Sequence, residues 1–189
     1  MLENLKESLE SAPIVKKGDY DYFIHPISDG IPLMKPEVLE EISECIANNV
    51  DLSKIDKIVA VEAMGIHLAT ALSLHTGIPF VVIRKREYGL ENEIKVTKKT
   101  GYESSNLYIN YIDEGDNILL IDDVISTGGT LKTLINALNN INVNINTIVA
   151  VIEKGEGKKQ LEKELNVSIM TLVKMDVVDG KIDIKSINY

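Results

Sequence analysis

The chain has 189 residues, of which 44% are hydrophobic and 26% are charged, and its formal net charge is −9. This length suits one domain with a real hydrophobic core, and the acidic balance argues against a nucleic-acid-binding protein, which normally presents a basic face. The single cysteine, Cys45, excludes an intrachain disulfide. No apolar run approaches the roughly 18 residues that a membrane-spanning helix needs, so we expect a cytoplasmic protein without a membrane partner.

Hydrophobic periodicity predicts helices and strands that alternate along the chain. In chain order they are a helix at 1–11, a strand at 20–24, a helix at 37–49, a strand at 57–63, a helix at 66–75, strands at 79–85 and 117–123, a helix at 131–138, a strand at 147–154, a helix at 158–165 and a strand at 168–175. Short β-branched runs between such helices are typical of an α/β fold with a mostly parallel central sheet flanked by helices. In these sheets, ligands bind at the carboxyl ends of the strands.

One long segment, residues 86–105, is polar and lacks a clear periodicity. Irregular segments of this length are uncommon in compact domains and often act as lids over a site. We therefore predict a flexible lid at residues 86–105, within a single domain that spans residues 1–189.

The stretch ILLIDDVISTGGT carries the strongest functional pattern. Asp122 and Asp123 stand where a buried strand ends, and adjacent side chains on a strand point to opposite faces, so the two carboxylates have different tasks. Carboxylates pair well with sugar hydroxyls and with Mg²⁺. The following loop opens a helix, whose free N–H groups and dipole favour an anion such as phosphate. The candidate phosphate-binding residues are Ser126, Thr127, Gly128, Gly129 and Thr130.

The glycine spacing of this loop fits neither a Walker A loop nor the dinucleotide-binding fingerprint. IDDVISTGGT instead resembles the phosphoribosyl-pyrophosphate (PRPP) motif of the type I phosphoribosyltransferases, and the resemblance extends over residues 20–175. It implies the type I phosphoribosyltransferase fold. It also implies that Asp122 and Asp123 are catalytic, holding the ribose 2- and 3-hydroxyls and Mg²⁺, while residues 126–130 hold the 5-phosphate.

Two further segments resemble parts of the family's PRPP site. The turn after the strand at 57–63 resembles the pyrophosphate loop, which contains a cis non-proline peptide in many members. Arg84 and Lys85 close the next strand, where cations can neutralise the departing pyrophosphate. The alternatives are a tight strand–helix turn and a solvated strand end. The residues of the predicted pyrophosphate loop are Glu62, Ala63, Met64 and Gly65.

Residues 1–35, which include YDYFIHPISDGIPL, resemble the hood that covers the base in the adenine-type branch of the family. The alternative is an edge strand that only packs on the core. Residues 86–105 correspond to the lid that closes over the reacting centre and excludes water. The implied base contacts in the hood are Tyr22, Phe23 and Ile24, and the aromatic candidates in the lid are Tyr88 and Tyr102.

The whole chain, including FIHPISDG, EAMGI, RKREY, TGY and IEKGEGKK, most resembles archaeal hypoxanthine/guanine phosphoribosyltransferases of adenine-type architecture. The resemblance implies purine salvage: hypoxanthine or guanine and PRPP are converted to IMP or GMP and pyrophosphate, with Mg²⁺, in a homodimer. Common hypoxanthine-guanine enzymes carry an acid at the position of Ser126. The general base therefore stays open between water, a lid residue and none.

Three alternative functions remain at this point. Adenine enzymes usually carry Arg at the position of Met64, which weakens adenine transfer, and Tyr88-Gly89 faintly resembles orotate enzymes. A PRPP-sensing regulator without catalysis would usually add a DNA-binding lobe, for which this acidic chain has neither a basic patch nor spare length. A simple binding module would leave the long lid unexplained.

Overall fold

The computed structural model describes residues 2–18, 20–99 and 104–188. Within these ranges the central sheet has six strands. The strands in chain order are β1 (Ile14–Lys17), β2 (Tyr20–Phe23), β3 (Lys57–Val61), β4 (Phe80–Ile83), β5 (Ile94–Lys99), β6 (Ser104–Ile109), β7 (Asn117–Ile125), β8 (Asn144–Lys154), β9 (Ile169–Val178) and β10 (Lys181–Ile187). The central sheet has the order β10-β9-β8-β7-β3-β4, and only β10 runs antiparallel to its neighbour.

Helices cover both faces of this sheet. They are α1 (Glu3–Glu10), α2 (Pro26–Asp29), α3 (Pro36–Asn49), α4 (Gly65–Thr76), α5 (Gly129–Asn140) and α6 (Gly157–Leu165). One hydrophobic core joins α1, α3 and α4 to the sheet, and a second core joins α5, α6 and β6 to its other face. None of the helices in the described ranges has the length and apolar character that a membrane crossing requires.

Strand β7 shows why the sequence forms this architecture. Its run of four consecutive aliphatic residues, Ile118 to Ile121, is fully buried, because a parallel sheet that is covered on both faces favours continuous apolar runs. Leu119 and Ile121 contribute to the core under α4, whereas Ile118 and Leu120 contribute to the core under α5. The alternation continues into the two acids that follow, which places them on opposite faces of the sheet.

The predicted α/β fold with a mostly parallel sheet is confirmed, and each of the five strands predicted after residue 56 is found. The structure differs from the prediction at residues 86–105, where β5 and β6 form an antiparallel ribbon. Of β5, Ile94 and Val96 pack against the core. An alternation of apolar and polar residues that includes only two apolar positions is too short to distinguish a strand from a loop in the sequence. Strands β1 and β10 and the four-residue helix α2 were also not predicted.

Within the predicted hood, a β1–β2 hairpin and α2 lie against the central sheet, with α2 in contact with β7 and β2 in contact with β9. His25 begins α2: its Nδ1 accepts a hydrogen bond from the Ile27 N–H at 3.2 Å, and its Nε2 lies 2.9 Å from the Ser8 hydroxyl in α1. The side chain is fully buried, and this burial lowers the pKa of His25 to about 4, against the opposing effect of Asp29. The neutral ring therefore joins α2 to α1.

Protonation of His25 is expected to destabilise the fold as the pH decreases. The unfolded chain binds the proton near pH 6.5, but the folded protein binds it only near pH 4. The stability that neutral His25 contributes is therefore complete above pH 6.5 and is lost as the pH falls to about 4. The pKa difference corresponds to about 3 kcal/mol. Urea denaturation of the wild type and of His25→Gln between neutral pH and pH 4.5 measures this effect, and the variant should show the smaller pH dependence.

His75→Gln provides the matched control, because His75 is exposed at the end of α4. We expect its stability to change with pH as that of the wild type does. An equal slope in the wild type and in both variants would contradict the role of His25.

Candidate active site

Four neighbouring parallel strands bring chemically active side chains to one edge of the sheet. The strands are β8, β7, β3 and β4, and this edge is formed by their carboxyl ends. Because ligands bind at this edge in open α/β sheets, the side chains form a candidate site. The residues at the four strand ends are Lys154 on β8, Asp122 and Asp123 on β7, Glu62 after β3 and Arg84 after β4.

The acid pair on β7 is largely withdrawn from water. Asp122 is 8% exposed, and its Oδ1 accepts a hydrogen bond from the backbone N–H of Asp123 at 3.0 Å. Burial raises the pKa of Asp123 above its ordinary value, the contact with Asp122 opposes this shift, and the charge of Asp29 in the hood adds to it. Sugar hydroxyls or a cation beside Asp123 would favour its charged form.

The loop after β7 has the shape of an anion cradle. Gly128 adopts a φ of +74°, a conformation that disfavours residues with a side chain, and α5 begins at the next residue. Asp122 and the segment Val124–Leu131 line a cavity of about 190 Å³ in front of the helix start. Ser126, Thr127 and Thr130 thus lie with the start of α5 around one small space, and a helix start favours an anion.

The turn between β3 and α4 is held by its first residue. The carboxylate of Glu62 accepts the backbone N–H of Lys85 at 2.7 Å and lies 3.3 Å from Nε of Arg84, and the Glu62–Ala63 peptide is cis. A β-carbon on Gly65 would lie 3.1 Å from the carbonyl oxygen of Ile121, so glycine at this position favours the close approach of α4 to β7. The predicted pyrophosphate loop, which includes Met64, is therefore fixed against both neighbouring strands.

Arg84 and Lys85 differ in their surroundings. Arg84 is half-buried, pairs with Glu62, and its backbone exchanges two hydrogen bonds with Tyr108 of β6. Lys85 is exposed, so its ammonium group is the more accessible cation for a bound pyrophosphate. Arg84 joins the predicted pyrophosphate loop to the ribbon of the lid.

The three predicted base contacts have different partners in the structure. The hydroxyl of Tyr22 donates to Asp29 at 2.7 Å, and the ring of Phe23, which is 5% exposed, lies 5.5 Å from Nζ of Lys154. The backbone N–H of Ile24 donates to the carbonyl of Pro13 at 2.8 Å. Because this bond occupies the N–H of Ile24, a backbone contact of Ile24 with a base would use its carbonyl group.

Of the two lid aromatics, Tyr88 is about half-exposed, and the guanidinium of Arg86 lies 5.4 Å from its ring. Glu93 organises this turn, because its carboxylate accepts the backbone N–H groups of Tyr88 and Gly89 and the side-chain amide of Asn110. Tyr102 lies outside the described residues.

Lys154 was not predicted from the sequence as a site residue. The available indication was its position at the end of the strand TIVAVIEK, by the same rule that selected Asp122 and Asp123. Its contact with Phe23 is not visible in the sequence, because the two residues lie far apart along the chain.

Larger clefts lie away from these side chains. One of about 690 Å³ is formed by Leu90, Ile94, Tyr111 and the end of α5 around Asn140. It opens beside the base of the lid ribbon and contains none of the residues predicted for PRPP or the base. Size alone therefore does not identify the active site here.

The described residues contain no cluster of three or more His, Cys, Asp or Glu side chains that could hold a metal ion alone. Asp122 and Asp123 nevertheless suit Mg²⁺, which typically takes one or two carboxylates and completes its shell with substrate oxygens and water. The donor set fits a cation that arrives with a phosphorylated ligand.

Comparison with known proteins identifies the family. The phosphoribosyl transferase domain matches residues 33–178. The hypoxanthine/guanine phosphoribosyltransferase of Methanobrevibacter ruminantium is 65% identical over 182 residues, which cover 96% of this chain and 97% of that protein. The protein of the same name from Methanothermus fervidus is 58% identical over 184 residues, which cover 97% of each chain.

Among solved structures, the adenine phosphoribosyltransferase of Thermoanaerobacter pseudethanolicus matches with a TM-score of 0.75 and 23% identity, over 92% of this chain and 99% of that one. This likeness confirms the type I phosphoribosyltransferase fold. The matched domain and the archaeal relatives confirm the resemblance carried by IDDVISTGGT. The chain belongs to the phosphoribosyl transferase family.

Proposed function

We propose that this protein transfers the 5-phosphoribosyl group of PRPP to hypoxanthine and guanine, forming IMP or GMP and pyrophosphate. The observation that carries the choice of base is the pairing of Lys154 with Phe23 at the carboxyl edge. The Phe23 ring, which is 5% exposed, holds the Lys154 ammonium group beside this edge, and an ammonium group donates to a 6-oxo group but not to the 6-amino group of adenine. The names of the archaeal relatives agree with this choice.

Each part of the site has a task in this reaction. The bond between C1 of the ribose and pyrophosphate breaks, a bond from C1 to the purine nitrogen forms, and that nitrogen loses its proton. Asp122 and Asp123 hold the ribose hydroxyls and stabilise the positive charge that develops at C1. Residues 126–130 hold the 5-phosphate, and residues 62–65 with Lys85 hold the departing pyrophosphate. A bound Mg²⁺ would supply further charge neutralisation at the pyrophosphate and ribose oxygens.

The proton on the purine does not require a carboxylate at position 126. Ser126 is exposed at the start of the loop and is a poor base. Lys154 near the 6-oxo group would stabilise the anionic purine and lower its pKa, so that water is a sufficient acceptor. Water is therefore favoured over a lid residue as the acceptor of this proton.

Lys154→Met is expected to reduce kcat/KM for hypoxanthine by roughly 100-fold, because the 6-oxo group would lose its charged donor. The KM for PRPP should change little, since the acid pair and the phosphate loop remain intact. Steady-state kinetics with each substrate varied in turn measure both values. Wild-type turnover of adenine should stay far below that of hypoxanthine.

Lys163→Met is the matched control, because Lys163 is exposed in the last turn of α6, away from the first turn that contacts the phosphate loop. Its kinetics should equal those of the wild type. If Lys154→Met used hypoxanthine as well as the control does, Lys154 would not recognise the base.

We further propose that the enzyme works with Mg²⁺ in the cytoplasm as a homodimer, with neither nucleic acid nor a membrane as a partner. Leu33 and Leu74 are more than 80% exposed and Ile31 is 58% exposed, and apolar side chains this exposed favour burial against another surface. Light scattering of the purified protein tests the dimer. A monomer at micromolar concentration would contradict it.

Adenine or orotate transfer and a non-catalytic PRPP sensor are the other candidates. Adenine phosphoribosyltransferases share the fold at 23% identity, a likeness that does not extend to the base. PRPP binding without turnover of any base would favour the sensor.

A further inference from the structure

The first turn of α6 lies in direct contact with the predicted phosphate loop. A β-carbon on Gly157 would lie 1.8 Å from the carbonyl oxygen of Ser126 and 2.7 Å from the carbonyl carbons of Ser126 and Thr127. Distances this short cannot be tolerated, and the atoms that would have to move belong to the backbone of the loop. Only a residue without a side chain fits at this point.

The contact is reciprocal and involves a second glycine. A β-carbon on Gly128 would lie 3.4 Å from the carbonyl oxygen of Gly157 and 3.3 Å from Cδ2 of Leu161, one turn further along α6. Gly128 also needs its positive φ, whereas Gly157 begins a helix without one. Glycine at position 157 is therefore required for space and not for backbone conformation.

A buried ion cluster holds this turn in place. Glu153, at 6% exposure, lies 2.9 Å from Nζ of Lys174 and accepts a hydrogen bond from the Thr171 hydroxyl at 3.0 Å. Lys158, the residue after Gly157, donates to the Thr171 hydroxyl at 3.1 Å and lies 3.5 Å from the Glu153 carboxylate. The cluster thus links the start of α6 to strands β8 and β9.

We propose that Gly157, held in place by Glu153 and Lys158, is a positioning residue that sets the shape of the 5-phosphate loop. Gly157 touches the loop on the side of α6, while the residues of the loop line the phosphate cavity. The inference rests on the proposed function in one respect, namely that the loop binds the 5-phosphate of PRPP. The pyrophosphate loop, on β3 and α4, should not depend on Gly157.

Gly157→Ala tests this division with two probes. Isothermal titration calorimetry with ribose 5-phosphate reports on the loop at 126–130, and titration with inorganic pyrophosphate reports on the loop at 62–65. We expect ribose 5-phosphate affinity to fall on the order of 10- to 100-fold, as misplacement of binding groups by about 1 Å can cause. Pyrophosphate affinity should stay equal to that of the wild type.

Gly155→Ala is the matched control, because a β-carbon there would meet no atom within 4 Å although the φ is +73°. This variant adds an alanine and its backbone strain just before α6, but its side chain does not enter the phosphate loop. It should therefore bind both probes as the wild type does. Unchanged ribose 5-phosphate binding in Gly157→Ala, or an equal loss for both probes, would overturn the proposal.

Glu153→Gln keeps the inference testable if Gly157→Ala does not fold. It removes the charge that holds Lys158 and Lys174, and it should weaken ribose 5-phosphate binding selectively, with a smaller factor. Wild-type affinity for ribose 5-phosphate in this variant would contradict the role of the ion cluster in positioning Gly157. A wild type that binds ribose 5-phosphate but does not transfer the phosphoribosyl group of PRPP to any purine would refute the proposed function. It would leave the role of Gly157 intact.

Discussion

Asp122→Asn is expected to lower kcat/KM for PRPP on the order of 100- to 1000-fold, because the substitution removes a charge that stabilises the developing cation at C1. Asparagine has nearly the same shape, and a neutral group is easier to bury than a carboxylate. The thermal midpoint should therefore not fall. Steady-state kinetics at saturating hypoxanthine, together with thermal unfolding of both proteins, measure the two effects.

Asp113→Asn is the matched control for this substitution. Asp113 is an exposed acid that precedes β7, at the opposite end of the strand from the acid pair. Its activity and midpoint should equal those of the wild type. Near wild-type turnover in Asp122→Asn would show that this carboxylate does not act on the ribose.

Gly128→Val should abolish measurable PRPP binding at ordinary concentrations and also destabilise the fold. A branched side chain at φ +74° costs roughly 1–3 kcal/mol in backbone strain. Its β-carbon would also lie 3.3 Å from Cδ2 of Leu161 and 3.4 Å from the carbonyl oxygen of Gly157, so the two γ-carbons of valine would crowd the contact between the loop and α6. We expect a loss of PRPP affinity of at least about 100-fold.

Gly180→Val separates strain from function, because Gly180 has a φ of +69° and a β-carbon there would meet no atom within 4 Å. Both variants should lose comparable stability from strain, but only Gly128→Val should lose PRPP binding. Calorimetric titration with PRPP and urea denaturation provide the two measurements. Unchanged PRPP affinity in Gly128→Val would refute the placement of the 5-phosphate.

The arrangement of the acid pair and the glycine-rich loop at the end of a strand was predictable because it lies in contiguous sequence. A buried strand, two carboxylates and a glycine-rich helix start follow one another within residues 118–130, and the structure retains that order. The five parallel strands were predictable for a related reason, since burial on both faces requires unbroken runs of aliphatic residues. Both features depend on local patterns.

The remaining features depend on contacts between distant segments. Lys154 lies beside Phe23, and Gly157 lies beside the carbonyl of Ser126. Neither contact can be inferred from a periodic pattern in the sequence. The N–H of Ile24 donates to the carbonyl of Pro13 beside the β1–β2 hairpin, and β1 was not predicted. Contacts of this kind require the fold before they can be inferred.

The most direct test of the proposed function is a competition assay. The protein, PRPP and Mg²⁺ would be incubated with an equimolar mixture of hypoxanthine, guanine, xanthine, adenine and orotate, and the nucleotides formed would be identified by mass spectrometry. We predict IMP and GMP as the dominant products, with pyrophosphate released in equal amount. AMP or orotidine monophosphate as the main product, or no nucleotide from a protein that binds PRPP, would contradict hypoxanthine/guanine transfer.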